Sequence, residues 1–349
     1  MTMHQSKKFE LGVYTFGNTP RLADGGYAST AQAIRNALEA VQLAEDVGLD
    51  FFGFGEHHTN SMPLSSPTSV INAAAALTKT IKLGATVSVL STDDPIRVFQ
   101  QLATADAVAP GRIELVAGRG SSAITFSLFD YQEQDYDMLF SSKLSLLLEL
   151  NRSACISWSG PHRQRSLAGA KIYPRPENPL RLWLGSGGSP ASVMRAAELG
   201  LPLFLGILGG SPTQWARYGQ IYRDAWARAG NVSGSPEIAV ATHGFIGEHD
   251  SDARQLYLEH ELRMFRTGLA EIGLPDSPPP DRIKESGLDG MVFAGGPENV
   301  AGRIIGLQRL LGHSRQILQM DVGGLSHSAF MKSIELLGTR VLPVIRRAV

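Results

Sequence analysis

Asp50-Phe51-Phe52-Gly53-Phe54-Gly55-Glu56-His57-His58 starts with a single charge, runs through five apolar or glycine residues, and ends in a carboxylate and two imidazoles. An unbroken apolar run of this length reads as a short strand buried on both faces, the habit of strands in a parallel sheet. When the C-terminal tip of such a strand turns from apolar to ionisable, it matches the way an α/β barrel presents chemistry. The core holds the strand rigid and the tip opens into a pocket. Taken by itself the tip reads equally well as the start of a solvated loop, so the flanking chain has to decide.

Upstream, Phe9 to Phe16 mixes β-branched and aromatic residues and predicts the first strand. Between it and the second strand, Ile34, Leu38, Val41, Ala44 and Val47 form one stripe of a helix over Ala31 to Val47, closed by Gly48. Downstream the alternation continues. Ser66-Pro67 and Asp94-Pro95 each begin a helix with proline in the first turn, where its missing N–H is no loss. Strands are predicted at Ile81 to Leu90, Arg112 to Ala117, Arg181 to Leu184, Leu203 to Leu208, Glu237 to Ile246 and Gln316 to Val322. Helices follow at Asp135 to about Leu150, from Ser189-Pro190, at Pro212 to Ala229, at Pro297 to Leu311 and from His327 to about Ile345. Asn151 to Pro179 reads as a long irregular segment that covers something, and Ser251 to Gly290 breaks the rhythm with a polar helical stretch and a proline cluster. Eight strand–helix units with right-handed crossovers predict a (β/α)₈ TIM barrel, with an insertion between strand 7 and helix 7. No linker divides the chain, so residues 1–349 are expected to form a single domain.

Composition narrows the function classes. With 43% hydrophobic and 19% charged residues in 349, and a formal net charge of −1, nothing draws the chain to nucleic acid or to an anionic membrane. Cys155 is the only cysteine, which excludes an intrachain disulfide and a cysteine-based zinc site. The chain shows no cationic-apolar leader and no apolar run of membrane length, so a cytoplasmic protein is expected.

Four strand ends carry candidate chemistry. After the fifth strand, Gly185-Ser186-Gly187-Gly188-Ser189-Pro190 offers close backbone approach, a capping serine and a helix N-terminus, which suits a phosphate. It lacks the full dinucleotide fingerprint, because Pro190 stands where the third glycine belongs. After the fourth, Gly118-Arg119-Gly120 presents an unobstructed guanidinium fork of the kind that recognises phosphate; alone it reads as a surface arginine in a turn, and its place beside the glycine turn at the same mouth favours the anion. In the third, Ala85-Thr86-Val87-Ser88 puts small residues in an otherwise aliphatic run, which leaves room for a flat ring but on composition alone reads first as ordinary barrel packing. At the second, adjacent strand residues point to opposite faces, so His57 and His58 do not readily share a metal, and acid/base work by an imidazole near its ordinary pKa suits them better. No Gly-x-Ser-x-Gly elbow and no His-Glu-x-x-His helix is present.

These markers in this order resemble the bacterial-luciferase-like family of flavin-dependent monooxygenases, over nearly the whole chain. They include Glu56-His57-His58, Ile81-Lys82-Leu83-Gly84, Asp94-Pro95-Ile96-Arg97, Pro110-Gly111-Arg112-Ile113, Gly118-Arg119-Gly120, Tyr173-Pro174-Arg175-Pro176, Gly187-Gly188-Ser189-Pro190 and Gly323-Gly324-Leu325. The resemblance implies a barrel that binds reduced FMN at its mouth. Arg119 and the Ser186, Gly187, Gly188, Ser189 turn would hold the phosphate, and a cis Thr86–Val87 peptide would lie beneath the ring. It implies His57, with Glu56 and His58 beside it, as the residues supporting the oxygen chemistry. It further implies O₂, a small organic substrate, a separate NAD(P)H:flavin reductase as partner, and a homodimer. The luciferases carry a reactive cysteine just before the phosphate arginine; here that residue is Gly118, which speaks against light emission. Two alternatives stay open at this stage: a deazaflavin-dependent oxidoreductase of the same fold, and a flavin-binding protein without catalysis. The Ser251–Gly290 insertion is expected to overhang the mouth, with mobility between Gly273 and Lys284.

Overall fold

The computed structural model describes residues 8–120, 123–231, 234–268, 271, 284, 286–287 and 289–349. The strands are β1 Glu10–Thr15, β2 Phe51–Phe54, β3 Lys82–Val89, β4 Ile113–Gly118, β5 Cys155–Trp158, β6 Leu167–Lys171, β7 Arg181–Ser186, β8 Leu203–Ile207, β9 Ile238–Ile246, β10 Phe293–Gly295 and β11 Arg315–Gln319. The helices are α1 Thr30–Asp46, α2 Pro67–Leu77, α3 Pro95–Val108, α4 Ala123–Leu128, α5 Tyr136–Arg152, α6 Pro190–Glu198, α7 Pro212–Arg228, α8 Asp250–Arg263, α9 Pro297–Leu311, α10 His327–Leu336 and α11 Leu342–Ala348. Strands β9, β11, β1, β2, β3, β4, β7 and β8 pair in that order, all parallel, and β8 pairs back to β9. The sheet is therefore a closed eight-stranded barrel with helices between its strands, as the alternation predicts.

The β2 run explains its own composition. Phe51 faces into the barrel, among Tyr14, Val116, Trp183, Phe204 and Ile317. Phe52 and Phe54 face out, into the layer between sheet and helices, their rings 5.1 Å apart. A strand buried on both faces has no place for a polar alternate. The Phe51 ring needs space from its neighbours: a Cβ on Gly84 would meet its Cζ at 2.4 Å.

The barrel floor is polar. Arg315 of β11 donates to both carboxylate oxygens of Glu114 on β4, at 2.6 and 2.9 Å, and to Glu10 of β1 at 2.6 Å. In the closed order β11 and β4 are four strands apart, so the pair spans the barrel's diameter. Trp183 Nε1 donates to Glu114 at 2.7 Å, and the guanidinium lies over the Phe51 ring at 4.2 Å. Arg315 is 1% and Glu114 3% exposed. Burial alone would raise the Glu114 pKa, yet Arg315 holds it below the usual range. Burial alone would lower that of Arg315, and Glu114 and Glu10 more than reverse it.

The structure differs from the sequence-based expectation in three segments. Asn151 to Pro179 is not irregular throughout; it holds the antiparallel β5–β6 hairpin. Those strands are mostly exposed, with only Ile156 buried, so they lack the alternation that marks a half-buried strand. α4 precedes α5 as a separate short helix. Just after the insertion, β10 adds to the upper part of β9, pairing Phe293–Gly295 with Gly244–Ile246. Of the part of the insertion expected to be mobile, Gly273 to Lys284, all but Lys284 lies outside the described residues. No helix among the described residues is long and apolar enough to cross a membrane.

Removing one partner from a buried ion pair strands the other charge in a low-dielectric site. Arg315→Met is expected to destabilise the barrel by about 3–5 kcal/mol at neutral pH. Without its partner, Glu114 should take up a proton at higher pH, so the gap to wild type should narrow at mildly acidic pH. Urea unfolding at the two pH values checks this; an equal loss at both would mean that Glu114 is not left charged.

Candidate functional site

Glycines shape the upper interior of the barrel. A Cβ on Gly53 would meet Thr86 Oγ1 at 2.3 Å, one on Gly55 the Phe16 ring at 2.1 Å, and one on Gly118 the Val87 side chain at 2.5 Å. The Thr86–Val87 peptide is cis, as the resemblance implies, and the β3–β4 register shifts between Thr86 and Ser88. Val87 turns inward against Gly118 and Gly185 and forms a small apolar platform there. Thr86 Oγ1 next to it in the chain, and Gln319 Nε2 at the end of β11, are buried with no hydrogen-bond partner among the described residues. Polar atoms in that state fit a ligand that brings its own donors and acceptors.

The tip of β2 divides its three ionisable residues between two tasks. Glu56 accepts from Val89 N at 2.8 Å and pairs with His58 Nε2 at 3.0 Å, so it ties β2 to β3. His58 also meets the Phe129 ring edge-on at 5.3 Å. His57 takes the other side, its ring edge-on to Phe16 at 4.5 Å, while its backbone N–H donates to Leu64 O. Phe16 in turn packs on the barrel's inner cluster, so His57 stands over the mouth. The expectation of an imidazole near its ordinary pKa is not met: burial, with His58 adding to it, lowers the His57 pKa to about 4. The ring is therefore neutral at physiological pH, able to donate from one nitrogen and accept at the other.

The anion-friendly turns lie at the ends of β4 and β7. Ser189 caps α6 by accepting from Ser192 N at 3.2 Å, and Ser186 Oγ accepts from Gly188 N at 3.2 Å. Gly188 has φ +94, and a Cβ there would strike the Trp215 ring at 2.7 Å. Gly187 faces open space, with nothing within 4 Å of an added Cβ. The Arg119 guanidinium is not unobstructed, as its flanking glycines suggest. It donates to Asp137 at 2.9 Å and lies over the Tyr136 ring at 4.8 Å. Arg195 of α6 approaches the same Asp137 oxygen at 3.9 Å. The sequence reading missed Arg195 and Asp137. The available signal was a basic residue on the helix opened by Ser189, which reads first as a solvated face.

The β9 side was also missed. Buried His243 pairs through Nδ1 with Glu261 of α8, and Thr15 donates to Asp321 after β11. Burial pushes the Asp321 carboxyl up to about 7. Burial, and then Asp321 and Glu261, raise the pKa of Tyr14. α8 packs on the turn after β11, where His260 Nδ1 meets Gly323 O at 3.0 Å and a Cβ on Gly323 would overlap His260 O at 1.7 Å. Glu271, further along the insertion, accepts from Ser61 Oγ at 2.6 Å in the loop after β2. The described part of the insertion thus reaches from the β9 side of the rim to the β2 side.

The sequence profile of the luciferase-like monooxygenase family matches residues 13–314. The uncharacterized protein y4vJ of Sinorhizobium fredii is 25% identical over 339 residues, covering 93% of this chain and 95% of its own. Among solved structures, monooxygenase RslO1 of Streptomyces bottropensis superposes with TM-score 0.81 at 21% identity, covering 96% of this chain and 99% of its own. The oxygenating constituent of 3,6-diketocamphane monooxygenase of Pseudomonas putida, in complex with FMN, gives TM-score 0.74 at 18% identity, covering 96% and 98%.

The lowered pKa of His57 has a measurable sign. An unfolded histidine takes up its proton near about 6.5, the folded one only near 4, so stability contributed by neutral His57 is lost as pH falls through that window. Side-chain nitrogen NMR should show His57 neutral throughout the physiological range. A titration midpoint at the ordinary histidine value would mean that the ring is solvated.

Proposed function

The chain belongs to the luciferase-like monooxygenase family, and we propose that it is an FMN-dependent monooxygenase that oxygenates a small organic substrate. Residues 1–349 are taken as one such domain, served by a separate NAD(P)H-dependent flavin reductase and acting as a homodimer in the cytoplasm. The observation that carries the proposal is the arrangement of the rim. Arg119 and the Ser186–Ser189 turn lie at the ends of β4 and β7, His57 stands beyond β2, and the Val87 platform on β3 lies between them. A flat ring with a phosphate tail fits such a line, and Thr86 Oγ1 and Gln319 Nε2, buried and unpartnered among the described residues, fit a ring with a polar edge.

When bound, reduced FMN supplies two electrons and activates O₂, one atom going to the substrate and the other leaving as water. The chain's own residues do the rest. Arg119, with Arg195 beside it, neutralises the phosphate and fixes the tail. Val87 supports the ring, and the glycines around it keep side chains out of the ring's place. His57, neutral and held by Phe16, donates to oxygen or takes its proton, and partial burial limits the water that competes for it. Glu56 and His58 position the strand tip rather than meet the reacting atoms.

The phosphate assignment has two opposite tests. Arg119→Ala should weaken FMN binding by about 1.5–3 kcal/mol and leave riboflavin affinity little changed. Asp137→Asn removes the carboxylate that shares Arg119 and Arg195, and should tighten FMN but not riboflavin. Calorimetry with both flavins checks the pair, and a deazaflavin run in the same series tests the competing cofactor. Identical FMN affinity across the three proteins would remove the assignment.

For His57, the expected outcome is a change of product. Given reduced FMN, His57→Ala should still bind flavin and consume O₂, but release it mainly as H₂O₂, with substrate oxygenation down roughly 10²–10⁴-fold. If coupling of O₂ to product is unchanged, His57 has no catalytic part. If flavin affinity and melting temperature fall together, its part is packing.

A further inference from the structure

We infer that the cavity between the start of α3, the chain that follows α4 and the tip of the β5–β6 hairpin is a second binding site, built for the oxyanion of a small acid. The cavity holds about 350 Å³ at the same end of the barrel as the mouth. It is lined by Lys143, His162, Arg163 and Arg165, with Asp93 and Asp94 on the same wall.

Two buried nitrogens on this wall, His162 Nε2 and Arg163 Nε, have no partner among the described residues. The other His162 nitrogen meets Ser142 Oγ at 2.8 Å. Burial, with Lys143 and Arg163 adding to it, lowers the His162 pKa to about 4. When the Ser142 hydroxyl donates to Nδ1, the neutral ring carries its proton on Nε2, as a donor. Lys143 is 2% exposed; its ammonium donates to Ser91 O at 2.7 Å and lies over the Tyr131 ring at 4.2 Å. An ammonium has three donors, so one carbonyl leaves capacity for a ligand. Buried donors without acceptors are costly, and an acceptor-only oxyanion is the group that satisfies several at once.

The two aspartates do not cancel the cations. Asp94 is committed to capping α3, accepting from Ile96 N at 2.8 Å and Arg97 N at 3.2 Å, and it lies 3.9 Å from Arg163. Asp93 accepts from Asp94 N at 2.8 Å, and burial raises its pKa. Three cations thus face two carboxylates. The site is separate from the Arg119 fork, and Ser91 stands between them: it accepts from Lys143 through its carbonyl and donates its hydroxyl to Arg119 O at 2.7 Å.

Calorimetric titration with succinate, and separately with inorganic phosphate, tests the site in wild type and in Arg119→Ala, which lacks the other anion fork. Saturable binding of either probe that persists in Arg119→Ala is expected, and the tighter probe in that variant names carboxylate or phosphate as the preferred class. His162→Phe and Arg165→Gln should each weaken it by about tenfold or more, with melting temperatures unchanged. Two substitutions guard against one of them disturbing the hairpin. No saturable binding of either probe would overturn the inference, and so would binding lost in Arg119→Ala but kept in both cavity variants. Neither result bears on whether the mouth takes FMN.

Discussion

A guanidinium sealed inside the barrel floor is the constraint on which the rest of the molecule depends. Arg315 reaches across the full diameter to Glu114 and sideways to Glu10, so three strands are joined through their inward side chains. A slip of β11 or β4 by one residue would turn a charge into the apolar layer between sheet and helices. A buried ion pair is weak evidence of net stability, because desolvation offsets much of its attraction. Its strength lies in how costly it makes the wrong register. With the floor fixed, the apolar middle layer of Tyr14, Phe51, Val116, Trp183 and Phe204 stacks above it, and the strand ends emerge in set positions.

The mouth uses that rigidity in two different ways. On the β2 side, carboxylate and imidazoles are fixed by short-range ties: Glu56 to the β3 backbone, His58 to Glu56, His57 to Phe16. On the β4 and β7 side the guanidinium groups of Arg119 and Arg195 are more exposed, and a carboxylate of the chain's own, Asp137, already lies against them. The first arrangement suits chemistry that must exclude water. The second suits a charged tail that arrives from solvent and must displace what is there.

Much of this was legible in the sequence, and the remainder was hidden for physical reasons. The run from Phe51 to Phe54 needs apolar side chains on both faces, so composition alone revealed a buried strand. Asp94-Pro95 and Ser189-Pro190 announced their helices, and both residues do cap them through their side chains. Thr86-Val87 and the glycine turns were found from resemblance and local chemistry. What stayed hidden depends on pairs far apart in the chain. Arg195 and Asp137 look like solvated helix residues until α5 and α6 meet. His243 and Glu261 form a buried pair only because α8 turns back over the strand ends. The β5–β6 hairpin leaves most of its side chains in solvent, and so prints no period-two pattern.

The contact between Val87 and Gly118 limits what position 118 can become. A single exchange that introduces a cysteine there would drive its Cβ into Val87 at 2.5 Å. Position 87 would have to shrink first, or both change together, and Gly185 on the far side of Val87 is part of the same contact. These positions therefore form one coupled unit, in which the effect of any replacement depends on its neighbours. A change at the inner rim therefore requires a compensating change at its neighbour, and single exchanges there meet backbone or β-branched side chains that have little room to give.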